Sequence, residues 1–153
     1  MTGTLPLDVL SKGALSVDLR DGLAYDLLLS NTGNGILLTG SVSATGTTEC
    51  SRCLEPASLE LTGEVEGYFI TNPRDEELEL ADDEFALVPA NGEVDLAPAV
   101  SAAAIFELPQ VVLCQPDCRG LCPHCGVNLN VASCDCASLL AADHPFAALG
   151  ELL

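Results

Sequence analysis

The sequence predicts an α+β protein: an antiparallel, partly barrel-like sheet with one buried helix and a C-terminal cysteine-rich zinc module. Apolar and polar residues alternate over much of the first 70 residues, which is the pattern of half-buried strands. One segment near residue 100 is apolar at almost every position, and six of the eight cysteines lie between residues 114 and 136. We therefore expect a β domain with its helix in residues 1–113 and a zinc-binding module with the tail in residues 114–153.

The first 31 residues predict one or two strands. Leu15, Val17 and Leu19 alternate with polar residues, and a mostly apolar run follows at residues 23–29. Residues 31–35 read N-T-G-N-G, a composition typical of a turn. This turn is expected to end the N-terminal part of the sheet.

Two longer strands are predicted next, at residues 36–48 and 59–69. In the first, Gly40 and Gly46 are candidate β-bulges. In the second, apolar residues or glycine alternate with glutamate and threonine, which makes it the clearest strand of the chain. The pair Cys50 and Cys53 lies between them, so we predict that these cysteines, part of the β domain, lie at the tip of a hairpin.

Residues 72–95 predict an acidic loop followed by a turn. Seven acidic residues fall within 72–84, without the alternating ligands and central glycine of a calcium loop, so a solvated face is expected. Residues 85–88 and 93–95 flank an Ala-Asn-Gly sequence, which indicates a hairpin-like turn.

A helix is predicted over residues 96–107. Asp95 is suited to cap it, and Pro98 is compatible with its first turn. The segment is apolar nearly all round, so we expect it to be buried between the sheet and the cysteine module. A strand at residues 111–113 and a short tail helix at residues 138–142 complete the prediction.

Eight cysteines carry the chemistry of the chain. The later six have the spacing C-x3-C-x3-C-x2-C-x8-C-x-C, and the earlier pair reads C-x2-C. A C-x2-C turn can place two sulfurs about 2.3 Å from one zinc ion. Gly126 follows one such pair, where a left-handed turn suits glycine. We predict two zinc ions bound by Cys50, Cys53, Cys114, Cys118, Cys122, Cys125, Cys134 and Cys136.

Disulfides and redox or iron–sulfur chemistry are the alternatives to zinc. Disulfides are typical of exported chains, but residues 1–12 lack a basic region followed by an apolar one, so we predict a cytoplasmic protein. Thioredoxin-type C-x-x-C motifs lie at a strand–helix junction of a βαβ unit, a pattern that is not predicted around Cys122.

The charge balance argues against autonomous nucleic-acid binding. The chain has 23 acidic and 5 basic residues, a formal net charge of −18. Gripping nucleic acid requires several cationic contacts with phosphates, which so few basic residues cannot supply. We predict weak or no direct nucleic-acid binding and a basic protein partner. A membrane partner is not expected, since the sequence has no apolar run long enough to span a bilayer.

The scarcity of acid–base groups predicts that the chain is not an enzyme. His124 lies inside a C-x2-C motif and His144 precedes a proline in the tail. Zinc sites made only of thiolates are closed and structural. A thiol redox protein or a metallo-nuclease is the enzymatic alternative.

Several of these motifs resemble those of a known family. Residues 50–54 read C-S-R-C-L, similar to the C-x-R-C-L signature of the bacterial YceD family of large ribosomal RNA subunit accumulation proteins. Residues 120–130 read G-L-C-P-H-C-G-V-N-L-N, which resembles a second, specific string of that family. The similarity covers roughly residues 49–150 and is loose over residues 1–35. Residues 143–146 read D-H-P-F where the family often has D-P-R, so no role of that arginine carries over.

The resemblance implies a cytoplasmic protein linked to 23S rRNA accumulation and assembly of the large ribosomal subunit. The expected partner is then a large-subunit ribosomal protein or a pre-ribosomal particle. Some family members keep the earlier cysteines and lack the later ones, which implies that the first four cysteines form one site and the last four another. A single site with four further thiols stays open, and a zinc-stabilised adaptor in transcription or another pathway is the alternative function.

Overall fold

The computed structural model describes residues 1–70 and 86–136. The acidic loop predicted at residues 72–84 and the tail helix predicted at residues 138–142 lie outside these ranges. The described residues form seven strands and one helix: β1 (Thr2–Leu5), β2 (Val9–Lys12), β3 (Leu15–Leu19), β4 (Leu23–Asn31), β5 (Gly35–Glu49), β6 (Pro56–Ile70), β7 (Ala86–Leu87) and α1 (Ala97–Phe106).

The chain divides into two compact units. The first comprises Met1–Thr48 and Ser58–Gln110, and the second comprises Glu49–Ala57 and Val111–Leu153. The sheet and helix belong to the first unit, and all eight cysteines belong to the second. The domain boundary placed between residues 113 and 114 from the sequence stays a prediction.

The strands of the first unit form one curled, half-barrel sheet. The order is β1-β4-β5-β3-β2, with β6 paired to β5 and β7 paired to β6. The registers of β1–β4, β2–β3, β3–β5 and β4–β5 are antiparallel, whereas β7 lies parallel to β6. An antiparallel, partly barrel-like sheet with one helix is thus confirmed for the described residues, which are mostly strand.

The strand alternation predicted for residues 59–69 is borne out by β6. Leu61, Val65 and Phe69 are buried, whereas Glu60 and Glu64 point to solvent. The N-terminal region contains more strands than expected. Strands β3 and β4 match the two predicted segments, whereas β1 and β2 were not predicted. Glycines at positions 13 and 22, with φ of 63° and 76°, lie between successive strands.

Gly40 and Gly46 allow close strand packing and are not bulges. The β4–β5 register runs unbroken from Ala24 opposite Ser43 to Asn31 opposite Ile36, straight through Gly40. A Cβ atom at Gly40 would collide with the carbonyl oxygen of the facing β4 strand. A Cβ atom at Gly46 would lie 2.6 Å from a β3 carbonyl oxygen.

The core of the first unit is formed by side chains from the inner face of the sheet and from the helix. Its buried members are Leu10, Val17, Leu23, Leu27, Leu38, Val42, Ala44, Leu61, Val65, Phe69, Val100, Ala104 and Leu108. No cysteine belongs to this cluster, so the core of the first unit is made of apolar side chains without metal ligands.

Helix α1 buries one face and exposes the other, so the prediction of a buried helix holds for one face only. Val100 and Ala104, one helical turn apart, are buried, whereas Phe106 is 78% exposed. The backbone N–H of Ala97 donates a hydrogen bond to the Asp95 carboxylate over 2.9 Å, although Leu96 occupies the N-cap position. Only two helical residues are buried, so the apolar composition of the helix did not predict how much of it is exposed.

Two further local predictions are wrong, the first only in part. The turn predicted at residues 90–92 forms, since the N–H of Gly92 donates to the Pro89 carbonyl over 2.9 Å. However, residues 93–95 form no strand and β7 pairs with β6 in parallel, so the turn does not close a hairpin. Residues 111–113 are not a strand; instead Val112 accepts a single backbone hydrogen bond from Ser51. Among the described helices, none is long and apolar enough to cross a membrane.

Candidate metal centres

The first cysteine pair lies on the loop between β5 and β6, as predicted. The backbone N–H of Leu54 donates to the Cys50 carbonyl over 3.0 Å, and the N–H of Cys50 donates to the Glu55 carbonyl over 2.8 Å. The N–H of Arg52 points at the Cys50 sulfur, 3.5 Å away. These bonds fold residues 50–55 into a tight turn, called the first knuckle below, that holds Cys50 and Cys53 together.

Residues 122–127 form a second knuckle with the same bonds. The N–H of Gly126 donates to the Cys122 carbonyl over 2.9 Å, and the N–H of Cys122 donates to the Val127 carbonyl over 2.8 Å. The residue after the second cysteine has a left-handed backbone in both knuckles, with φ of 63° at Leu54 and 70° at Gly126. The two knuckles are therefore local structural repeats.

The structure gathers the first four cysteines into one group. The sulfurs of Cys50, Cys53, Cys114 and Cys118 all lie within 4.8 Å of one another. The sulfurs of Cys50 and Cys118 are 3.7 Å apart, and those of Cys53 and Cys114 are 3.5 Å apart. Four sulfurs at about 2.3 Å from a tetrahedral zinc ion would be about 3.8 Å apart, whereas a disulfide needs about 2 Å. The donor set and its spacing fit a zinc ion, and all eight cysteines are free thiols.

The last four cysteines form a separate group of the same kind. The sulfurs of Cys122, Cys125, Cys134 and Cys136 also lie within 4.8 Å of one another. Each group thus combines a knuckle with two cysteines from elsewhere in the second unit. The cysteines divide as the family resemblance implied, into two groups that could each hold one metal ion.

Hydrogen bonds within the second unit bring Cys114 and Cys118 to the first knuckle. Ser51 donates its N–H to the Val112 carbonyl over 2.8 Å and accepts the Val112 N–H at its hydroxyl over 3.1 Å. Arg52 donates a guanidinium N–H to the Cys118 carbonyl over 2.8 Å and accepts the backbone N–H of Leu121 over 3.1 Å. The arginine of the first knuckle thus contacts the backbone of Cys118.

Asn130 is a site residue that the sequence analysis did not single out. Its amide donates to the Cys118 sulfur over 3.3 Å and to the Asn128 side-chain oxygen over 2.9 Å, and its own oxygen accepts the Arg119 N–H over 2.8 Å. Asn130 lies in the chain segment between Cys125 and Cys134. The segment that closes the second cysteine group therefore also positions a sulfur of the first. In the sequence, the only signal for Asn130 is its place in the family-like string N-L-N.

Backbone donors favour the thiolate form at one cysteine of each knuckle. Burial raises the pKa of Cys50, but hydrogen bonds from the N–H groups of Cys53, Arg52 and Cys114 outweigh it and bring the pKa to about 6. At Cys122, the N–H groups of Cys125 and His124 lower the pKa to about 6 despite burial. A thiolate is the form that binds a metal ion.

Desolvation and neighbouring sulfurs raise the pKa of another cysteine in each group. Desolvation, followed by the neighbouring sulfurs of Cys53 and Cys118, raises the pKa of Cys114 to about 12. The hydrogen bond with Cys125, followed by desolvation, raises the pKa of Cys136 to about 12. Four thiolates packed this closely repel one another, and a divalent cation at their centre would relieve that repulsion.

The geometry is that of two four-cysteine groups, each able to hold one metal ion. His124 is exposed on the second knuckle and is not a member of either cysteine group. Sites with four thiolate ligands leave no open position for a substrate or a reactive water. The arrangement can therefore cross-link chain segments through a metal ion.

These features define a small, mostly β protein that carries two tetracysteine groups. The chain belongs to the YceD family: the family profile described as "Large ribosomal RNA subunit accumulation protein YceD" matches residues 38–153. This confirms the resemblance noted from the cysteine motifs.

Relatives support the assignment over most of the chain. An uncharacterized protein of Mycobacterium tuberculosis is 34% identical over 82% of this chain and 56% of its own length. One of Mycobacterium leprae is 29% identical over 69% of this chain and 48% of its own. The Zea mays protein named large ribosomal RNA subunit accumulation protein YCED homolog 1, chloroplastic, is 27% identical over 65% of this chain and 43% of its own. The chain spans about half the length of the curated relatives it matches, and no solved structure matches it.

Proposed function

We propose that this chain is a non-enzymatic, zinc-binding factor that supports accumulation of 23S rRNA and assembly of the large ribosomal subunit in the bacterial cytoplasm. Family membership is the observation that carries this proposal, because the matching profile is described by large ribosomal RNA subunit accumulation. The Zea mays relative, whose name contains the same words, supports it over 65% of the chain.

Zinc is proposed to act as a structural cross-link at both cysteine groups. Cys50, Cys53, Cys114 and Cys118 would hold one ion, and Cys122, Cys125, Cys134 and Cys136 would hold the other. Bound zinc would stabilise the second unit, because metal-binding energy in such modules is also folding energy. The first unit has its own apolar core, so we expect it to fold without the ions.

The distribution of charge supports action through a basic protein partner. Of the five basic residues, Lys12 donates to the carbonyls of Phe106 and Leu108 at the end of α1, over 2.8 Å and 3.1 Å. Arg52 is engaged with Cys118. With two of its few cations committed to its own structure, the chain is poorly equipped to neutralise phosphates. A net charge of −18 instead favours a cationic protein surface, as found on a large-subunit ribosomal protein or pre-ribosomal particle.

The rRNA role is tested by depleting the complete protein in its own bacterium. We expect the ratio of 23S to 16S rRNA to fall, with free small subunits accumulating in sucrose gradients. The wild-type gene should restore the ratio, whereas a gene carrying Cys53→Ser and Cys122→Ser should not. An unchanged 23S to 16S ratio after full depletion would reject the proposed function.

The partner is tested with purified components at several salt concentrations. The wild-type protein should bind intact large subunits or proteins extracted from them, and binding should weaken as salt rises. Protein-free 23S rRNA should not bind at micromolar concentrations in near-physiological salt. Tight binding to protein-free rRNA would contradict the partner proposal, and selective binding to purified RNA polymerase would favour an adaptor in transcription.

A further inference from the structure

The first knuckle holds a leucine in a backbone conformation that suits glycine. Leu54 has φ of 63° and is the one non-glycine residue with positive φ in the part of the chain that the structure describes. A left-handed backbone brings the Cβ of an ordinary residue close to the neighbouring carbonyl, and a bulky side chain there is an outlier. The chain therefore tolerates local strain at this position.

The second knuckle shows what the turn itself requires. Gly126 occupies the equivalent position, with φ of 70° and the same pair of backbone hydrogen bonds. A Cβ atom at Gly126 would meet nothing within 4 Å, so glycine is not needed there for lack of space. The backbone conformation of this turn favours glycine after the second cysteine. The first knuckle has Leu54 at that position instead.

Packing against the described residues does not account for the leucine. The Leu54 side chain is 60% exposed and does not belong to the apolar core cluster. A singly exposed leucine is ordinary at a relaxed position, where it costs little. An exposed leucine at a strained position costs stability through its backbone and gains little from burial in return, and strain of this kind concentrates at functional sites.

We propose that Leu54 is the apolar anchor of a docking surface that binds a basic protein. The occupant follows from the charge around it. Glu49 and Glu55, at the two ends of the knuckle loop, are exposed and form no ion pair with any other described residue. A filled tetrathiolate site between them adds further negative charge. A partner segment with an apolar pocket bordered by lysine or arginine complements this surface.

This inference rests on the proposed function for the identity of the partner and gives that function a contact residue. The knuckle, held by its hydrogen bonds and by the cysteine group, presents Leu54 on a preorganised turn. A preorganised side chain loses little entropy on binding, so one apolar residue can contribute substantially to affinity.

The first test separates a docking role from a role in the protein's own fold. Leu54→Gly should retain the wild-type zinc content and unfold at the same temperature or a higher one, because it removes backbone strain. Gly126→Leu is the matched control: it introduces the same strain in the second knuckle and should lower the unfolding temperature. A lower unfolding temperature or zinc loss in Leu54→Gly would show that Leu54 serves internal packing and would overturn the proposal.

The second test measures binding to three purified probes: intact large ribosomal subunits, proteins extracted from them, and protein-free 23S rRNA. Leu54→Gly should bind the protein-containing probes about tenfold more weakly or worse, as expected for losing one buried leucine. Leu54→Met, which keeps an apolar side chain, should stay close to wild type. Equal binding by wild type and Leu54→Gly would overturn the docking role and leave the proposed function standing.

Two other outcomes identify different failures. If the wild-type protein binds neither protein-containing probe, the proposed partner is wrong and the docking surface falls with it. If Leu54→Gly weakens binding to protein-free rRNA instead, the occupant of the surface is RNA, which contradicts the proposal of a basic protein.

Discussion

Asn130 shows how a single side chain can join two cysteine groups. It follows Cys125 in the segment that closes the second group, yet its amide donates to the Cys118 sulfur of the first over 3.3 Å. A hydrogen bond to a thiolate stabilises its charge and orients it toward a metal ion. Desolvation raises the pKa of Cys118, but the hydrogen bond from Asn130 contributes to a net lowering of that pKa.

Replacing this donor should weaken zinc binding at the first group. In Asn130→Asp, a carboxylate would face the Cys118 thiolate, so we expect zinc to be held roughly tenfold less tightly there, in line with losses of outer-shell partners elsewhere. Competition with a chromophoric chelator measures this affinity. Asn91→Asp makes the same change on an exposed turn and should leave zinc affinity unaltered. Equal zinc retention by Asn130→Asp and wild type would contradict the role assigned to this amide.

The close strand approach at Gly40 can be tested in the same quantitative way. A Cβ atom at this position would collide with the backbone of Asp26 and Leu27, so Gly40→Ala should destabilise the first unit by about 1–3 kcal/mol. Gly67→Ala is the control, because its Cβ would meet side chains at 3.5 Å or more, an ordinary contact. Denaturant unfolding measures both. If Gly40→Ala is as stable as Gly67→Ala, the close approach of β4 and β5 at Gly40 is contradicted.

At the scale of elements, alternation predicted β3, β5 and β6 but not the four-residue strands β1 and β2. Strands β5 and β6 each span 15 residues, long enough for a period of two to stand out. Strands β1 and β2 have four residues each, and their boundaries depend on chain reversals at glycines whose φ values a composition does not reveal. Helix α1 was located correctly, but its exposure depends on which face meets the sheet, and tertiary packing decides that.

The candidate site was predictable to a similar degree. Cysteine spacing indicated metal-type knuckles, and the family resemblance implied the division into two groups that the structure shows. Spacing alone did not decide between one site and two, because Cys50 and Cys114 are far apart in sequence and only folding brings them into the same group. Asn130 and the strained backbone of Leu54 were beyond reach, since each is defined by a three-dimensional contact or a dihedral angle.

The two units are expected to respond differently to loss of one ligand. Cys122→Ser should remove zinc from the second cysteine group and abolish amide protection around residues 121–136, while β4, β5 and β6 stay protected by their apolar core. Cys53→Ser should instead expose the segments around the first group. Hydrogen exchange with residue resolution measures both variants. Global loss of protection in either one would mean that the whole chain folds as a single cooperative unit.

At the scale of the whole molecule, acidity and cysteine content point to the same kind of protein. The chain has a net charge of −18 and eight free thiols. Both features agree with the proposal that it acts through a basic protein partner and not through phosphate binding or catalysis. A structured, negatively charged surface would suit binding to a particle rich in basic proteins.

Zinc content is the most direct measure of the account's central claim, that eight cysteines make two structural metal sites. Elemental analysis should be performed on reduced protein purified without chelators, with protein concentration determined by amino-acid analysis. We predict a zinc-to-protein ratio near two, falling to near one in Cys122→Ser. A ratio near one with four titratable thiols in the wild-type protein would contradict the two-site account, and a ratio near zero would contradict zinc binding altogether.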